Sequence, residues 1–367
     1  MKILQVLPAL SAGGVERTAI EIANALTKAG HTARVACAGG RLEEELAAAG
    51  GLLHRLPLET KNPLKMRRNT KALTKIIQDH DIDIVHARSR APAWSARAAA
   101  KACDVPYVTT YHGIYNAKSA LKRRYNSIMA KGEIVIANSQ FTANHIIAEH
   151  GLDPQKIRVI ARGVDMARFN PQSQLQSAAN ALRQSWGVKP GATCLLLPGR
   201  LTRWKGQLVA INALADIPNA ALVLLGDAQG RDAYAQEISA LAADLGVTDR
   251  LHIPGHSGDM PAAFAAADIV LSCSTDPEAF GRVAAEAQAM GKWVIASDHG
   301  GATETVIHGV TGARVPPGDA TALSRAVLSG PGDAFCADTS RAHIAQNFSD
   351  TQMTDKTLAV YREVLTR

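Results

Sequence analysis

The chain has 367 residues, of which 47% are hydrophobic and 20% charged, so it has room for two ordinary soluble domains and is neither disordered nor fibrous. A formal charge of +7 admits an anionic small molecule, an anionic membrane surface or nucleic acid as partner, but aromatics are only 4% and no nucleic-acid-binding motif is present, so no nucleic acid is expected. No apolar run reaches the roughly 18 residues that cross a bilayer, and residues 1–10 are too short for a signal peptide, so a cytoplasmic protein is expected.

Residues 2–7 read as a buried strand, followed by a loop ending in Gly13-Gly14 and a helix over 15–28 that stops at Gly30. This opening predicts an α/β, doubly wound domain. The loop lacks the third glycine of G-x-G-x-x-G, which disfavours a dinucleotide dehydrogenase. Gly13 and Gly14 still let a phosphate or sugar approach the backbone, although a tight turn without a ligand explains them too. Strands over 33–37, 52–56, 82–86 and 107–111 alternate with helices over 42–49, 66–78 and 93–102, the rhythm of a parallel sheet covered on both faces.

Ligands of such sheets bind beyond the carboxyl ends of the strands. Arg88 and Arg90 follow one strand and His112-Gly113 another. His112 is placed at the rim of a cleft, as a site residue or as an ordinary hydrogen-bonded one; the two arginines suit an anionic acceptor or plain solvent. Strands at 133–137 and 157–160 complete the sheet, and Asn138-Ser139 offers an N-cap to a further helix. The polar stretch 170–180 reads as an interdomain linker leading to a short helix that ends near Trp186-Gly187.

A second domain restarts with a strand over 194–198. Arg200 and Lys205 lie in the loop before a helix that starts at Gly206, a usual position for phosphate-binding cations. Strands follow at 221–226 and 250–254, the latter leading to Gly255-His256. The five cysteines, Cys37, Cys103, Cys194, Cys273 and Cys336, contain no C-x-x-C pair and are expected to be reduced core thiols, with no metal site.

An apolar strand over 269–272 precedes Asp276-Pro277-Glu278-Ala279-Phe280-Gly281-Arg282-Val283-Ala284-Ala285-Glu286. On one unbroken helix Glu278 and Glu286 would stand about 12 Å apart along the axis and about 80° apart around it. If Pro277 keeps Glu278 in a loop and the helix begins near Phe280 or Gly281, both carboxylates reach one elongated ligand. Free backbone N–H groups between them then face its anionic part. A nucleotide sugar has that shape, while spacing alone equally fits two solvated glutamates. A strand over 293–296, the segment Gly300-Gly301-Ala302-Thr303-Glu304 and a last helix over 350–366 complete the chain.

The run E-A-F-G-R-V-A-A-E resembles the Glu, seven residues, Glu motif of family four retaining glycosyltransferases of the GT-B fold. Gly13-Gly14, Thr110-Tyr111-His112-Gly113, Arg162-Gly163-Val164-Asp165, Gly199-Arg200, Lys205-Gly206, Gly226-Asp227 and Gly300-Gly301 resemble further segments of that family. Arg162 departs from its usual Asn, so no contact is assigned there. The resemblance implies two Rossmann-like domains facing across a cleft, an acceptor-side one over 1–168 and a nucleotide-sugar-binding one over 169–348. A C-terminal helix over 349–367 would cross back to the first.

It further implies transfer of a hexose from a nucleotide diphosphate sugar, GDP-mannose or a UDP-hexose, to an acceptor hydroxyl. Catalytic roles fall on His112, Arg200, Lys205 and Glu278. Substrate binding falls on Gly13, Gly14, Gly255, His256, Phe280, Gly281, Arg282, Val283 and Glu286, with Gly255 and His256 at the base and Glu286 at the ribose. No cofactor or metal is required in that scheme. The run looks most like transferases of lipopolysaccharide core assembly. Basic stretches at Lys61–Lys75 and Lys118–Lys131, interleaved with Leu64, Met66, Leu121, Tyr125, Ile128 and Met129, add a lipid-linked or anionic saccharide acceptor and peripheral contact with an anionic membrane. A sugar-nucleotide epimerase of the same fold and a non-catalytic sugar-nucleotide-binding protein remain as alternatives.

Overall fold

The computed structural model describes every residue except 12, 116, 118 and 173. The chain divides into two compact units, one formed by Met1–Gly163 with Asp350–Arg367 and the other by Val164–Ser349. The first division thus falls after Gly163 rather than after residue 168.

The first unit contains β1 (Lys2–Val6), β2 (Thr32–Cys37), β3 (Leu52–Arg55), β4 (Ile84–Ala87), β5 (Tyr107–Tyr111), β6 (Ile134–Ala137) and β7 (Ile157–Val159). They form one parallel sheet in the order β3-β2-β1-β4-β5-β6-β7. The central strands are buried almost throughout because helices cover both of their faces; all four residues of β4 and all five of β5 are buried, the polar His86, Thr109 and Thr110 included. One face packs Ile3, Val35 and Ile84 against Ile22 and Leu26 of the helix Gly14–Lys28. The other packs Leu4, Val85 and Val135 against Leu73 and Ile77 of the helix Pro63–Asp79. The helix Asp350–Leu365 adds Met353, Leu358, Val360, Tyr361 and Val364 to the first of these cores.

The second unit contains β8 (Thr193–Pro198), β9 (Ala220–Leu225), β10 (Leu251–Gly255), β11 (Ile269–Ser272), β12 (Trp293–Ser297) and β13 (Gly312–Val315). All are parallel, in the order β10-β9-β8-β11-β12-β13. In both units the strand order reverses beside the first strand, between β1 and β4 and between β8 and β11. Such a switch opens a crevice at the carboxyl ends of the strands.

Three expectations need correction. Residues 170–180 are not an extended linker, because the helix Leu175–Ser185 occupies their second half; it buries only Ala179 of its own residues, so its composition reads as polar coil. Cys336 is exposed, Cys103 is half-buried, and only Cys37, Cys194 and Cys273 are core thiols. Ile128 and Met129 are buried under the sheet of the first unit and offer nothing to a membrane.

Candidate functional site

Pro277 and Glu278 lie in the loop after β11, and the next helix is Arg282–Ala289 with Gly281 at its N-cap. The carboxylates of Glu278 and Glu286 therefore flank a helix N-terminus instead of lying along one helix. Phe280 turns its ring inward against Phe348, with centroids 5.8 Å apart, so only its backbone is available to a ligand. Val283 is half-buried in the first turn. Glu286 is buried, and its Oε1 accepts from Arg282 Nε at 3.0 Å and Nη2 at 2.8 Å.

The loop after β8 meets the Glu278 loop through backbone contacts. Thr275 N donates to the Trp204 carbonyl at 2.8 Å, and the Cys273 thiol lies 3.5 Å from the Gly206 carbonyl. Gly206 holds φ +78° where any Cβ would stand 1.9 Å from the Cys273 carbonyl oxygen, so both conformation and space demand glycine. That crossing delivers Lys205 to Glu278, Nζ to Oε1 at 2.8 Å. Ser274 Oγ donates to the same Oε1 at 2.5 Å, and His299 Nε2 reaches the Ser274 carbonyl at 2.9 Å. One carboxylate oxygen thus carries two donors and the other is left for a ligand, while the ammonium keeps further N–H groups of its own.

Arg200 is exposed; its carbonyl accepts from Gln207 Nε2 at 3.0 Å, which fixes the loop and leaves the guanidinium to solvent. Gly255 ends β10 near the Asp227 carboxylate, and His256 beyond it is exposed.

In the first unit, Gly13 caps the helix Gly14–Lys28, and a Cβ on Gly14 would lie 1.9 Å from an Arg162 Nη atom. Gly14 therefore makes room for a guanidinium, whose other Nη donates to the His112 carbonyl at 3.1 Å. Sequence reasoning assigns Arg162 no contact; the structure puts it between the glycine loop and His112. The His112 ring nitrogens are buried, and burial, with the charges of Arg162 and Arg88, pushes the imidazole well below its ordinary range. Arg88 is 2% exposed, which rules out the solvated reading. Arg90 donates to Asn126 Oδ1 at 2.8 Å and lies over the Tyr115 ring. Among the described residues no group of three or more His, Cys, Asp or Glu side chains is arranged to hold a metal ion.

Two parallel sheets of this order, a cation-to-carboxylate contact at a switch point and a helix N-terminus beside it define a GT-B enzyme of the glycosyl-transferring class. Residues 12–168 match Glycosyltransferase Family 4 and residues 179–330 match Glycosyl transferases group 1. A glycosyltransferase from Rickettsia africae is 37% identical in its structure, with a TM-score of 0.91 over 99% of this chain and 98% of that one. Anabaena HepE, solved in complex with UDP-glucose, is 28% identical, with a TM-score of 0.83 over 100% of this chain and 99% of that one. The D-inositol 3-phosphate glycosyltransferase of Xylanimonas cellulosilytica is 32% identical over 64% of this chain, and the chain spans 60% of that relative's length. The chain belongs to the family four glycosyltransferases.

Proposed function

We propose that this chain is a retaining hexosyltransferase that uses a nucleotide diphosphate sugar as donor. The observation that carries the reading is the Lys205–Glu278 contact beside the N-terminus of the helix Arg282–Ala289, where no side chain caps the helix. Lys205 and Arg200 stabilise the charge that grows on the leaving diphosphate, the electrostatic contribution expected to be largest. The free oxygen of Glu278 accepts from a hexose hydroxyl, Glu286 accepts from the ribose, and the first-turn amides hold anionic oxygens. HepE's complex with UDP-glucose supports a UDP-hexose as the first donor to test. Front-face attack, in which the leaving phosphate oxygen takes the acceptor proton, suits a site without a pair of carboxylates flanking the bond. An α-linked donor should give an α-linked product; a β-linked product seen by NMR would overturn the reading. Rapid epimer formation from donor alone would favour the epimerase instead.

The acceptor proposed is lipid-linked and met at an anionic membrane. Leu64 and Leu121 are 69% and 81% exposed, and Lys61 Nζ, just before the helix Pro63–Asp79, lies 5.8 Å from the ring centroid of Tyr125 in the helix Ala120–Asn126. Lys65, Arg68, Lys71, Lys122 and Arg124 are exposed on the same two helices, whereas Lys75 and Arg123 are paired with Asp79 and Glu149. Lys118 lies outside the described residues. Among the described residues no helix is long and apolar enough to cross a membrane, so contact would be peripheral. At about 1 kcal/mol for each cation near such a surface, changing Lys122 and Arg124 to Ser should weaken binding to phosphatidylserine vesicles roughly tenfold or more at low salt. Unchanged binding would return these residues to solvated faces. The lipopolysaccharide assignment rests on the sequence resemblance alone.

A further inference from the structure

Arg162 stands where three loops of the first unit converge. It follows β7, yet its guanidinium lies against Gly14, in the loop-to-helix junction after β1, and against the His112 backbone after β5. In the order β1-β4-β5-β6-β7 three strands separate its own strand from β1, so the loop and side chain reach across the carboxyl edge of the sheet.

Both ends of that reach are built for it. Gly14 is the first residue of the helix Gly14–Lys28 and has no positive φ, so its conformation, unlike that of Gly206, does not demand glycine. Space does, because a Cβ there would overlap Arg162 Nη1. His112 is the first residue beyond the pairing of β5 with β6, and its carbonyl accepts from Arg162 Nη2 at 3.1 Å. A planar fork of donors fills the glycine gap with one Nη and bonds the carbonyl with the other; a single ammonium does not do both. The Asn usual at this position in the family is too short for the same span.

Charge acts in the same direction. Burial, then Arg162, then Arg88 hold the His112 imidazole in its neutral form, which accepts a hydrogen bond as well as donating one. The other titratable groups around it are His86 on β4, bonded to Thr110 and to Tyr361 of the returning helix, and Tyr115 in the loop after β5. From the helix Gly14–Lys28, Glu21 acts on Arg88.

Resting on the transferase reading with His112 at the reacting sugar, we propose that Arg162 is a positioning residue: it clamps the His112 loop to the glycine loop and so fixes the place from which the His112 ring meets the substrate.

The test reads His112 directly. The histidine 1H–15N spectrum of the full chain is titrated with pH, and His112→Gln assigns its signal among the 12 histidines. That signal should titrate at higher pH in Arg162→Met than in the unaltered chain, since a cation that disfavours the imidazolium is gone, and should stay in place in Arg162→Lys. Turnover is followed as UDP release from UDP-glucose with water as acceptor. Arg162→Met and Gly14→Ala should each lower kcat about tenfold, and the double variant about tenfold too rather than about a hundredfold, because both changes dislodge the same guanidinium. The acid limb of kcat should move up with the His112 signal in Arg162→Met. A residue that only props up the fold would lower kcat evenly across pH and leave the His112 titration where it was; that result, or additive losses, overturns the clamp. If Arg162→Met does not fold, Gly14→Ala, which displaces only the far end of a flexible side chain, carries the test: an unchanged His112 spectrum and unchanged kcat overturn the clamp. Full turnover in His112→Gln removes His112 from the reaction and the proposal with it, while the transferase reading stands. If the unaltered chain does not turn over UDP-glucose, that donor falls, and the titration, which needs no substrate, still decides the clamp.

Discussion

Glu278 Oε1 receives two donors that are not equivalent. Lys205 brings a charge that, in the proposed reaction, the leaving diphosphate also needs, whereas Ser274 brings only a hydrogen bond. Lys205→Ala should therefore lower kcat at least tenfold, because it removes transition-state charge stabilisation and strips a carboxylate only 17% exposed of its cation. Ser274→Ala keeps the cation and lets the carboxylate turn. Its kcat should fall about tenfold, equivalent to ~1.4 kcal/mol, with the UDP dissociation constant unchanged, since the proposed binding mode puts Glu286 and not Glu278 at the nucleotide end. Steady-state kinetics beside calorimetry separates the two, and parallel losses in kcat and UDP affinity would deny Ser274 a positioning role. Glu278 and Glu286, by their resemblance to a spaced motif, and Lys205, by its place in a loop between a strand and a helix, are legible in the sequence as candidates. Ser274, His299 and Arg162 are not. A serine or histidine near a strand end has no pattern of its own, and only the fold reveals that the missing Cβ of Gly14 leaves room for a guanidinium.

At the scale of elements, the crossing of two loops at Gly206 decides whether the cation and the carboxylate meet. Gly206→Ala would force a side chain into a left-handed conformation and against the Cys273 carbonyl, so the loops must part. A loss of about 2 kcal/mol or more in the stability of the second unit should accompany a loss of activity close to that of Lys205→Ala. A variant that melts and turns over like the unaltered chain would show that the loops meet without this glycine. The strands are legible because parallel strands covered on both faces are apolar runs; β9, for example, buries all six of its residues. The edge strand β13 is not, since G-A-R-V is short, carries a charge and buries only Gly312 and Val315. The helix Ala337–Phe348 buries only Ser340 and Ile344 and leaves too faint an apolar stripe to be read.

Across the whole molecule, the first unit is not continuous in sequence: its sheet ends at β7, and the chain completes all of the second unit before Asp350–Leu365 returns to close the first core. That helix contributes Met353, Leu358, Val360, Tyr361 and Val364 to the core, places the Tyr361 hydroxyl 2.6 Å from His86 Nδ1, and pairs Glu363 with Arg158. At roughly 1.5–3 kcal/mol for each large buried side chain, its removal costs about as much as the 5–15 kcal/mol by which a domain is usually stable. A chain ending at Ser349 should then keep a folded second unit and lose the first. Limited proteolysis read by mass spectrometry should show residues 164–349 protected and residues 1–163 cut throughout, and UDP should still protect the surviving fragment. If residues 1–163 resist cleavage as they do in the full chain, the returning helix is an accessory to the first core rather than part of what holds it together.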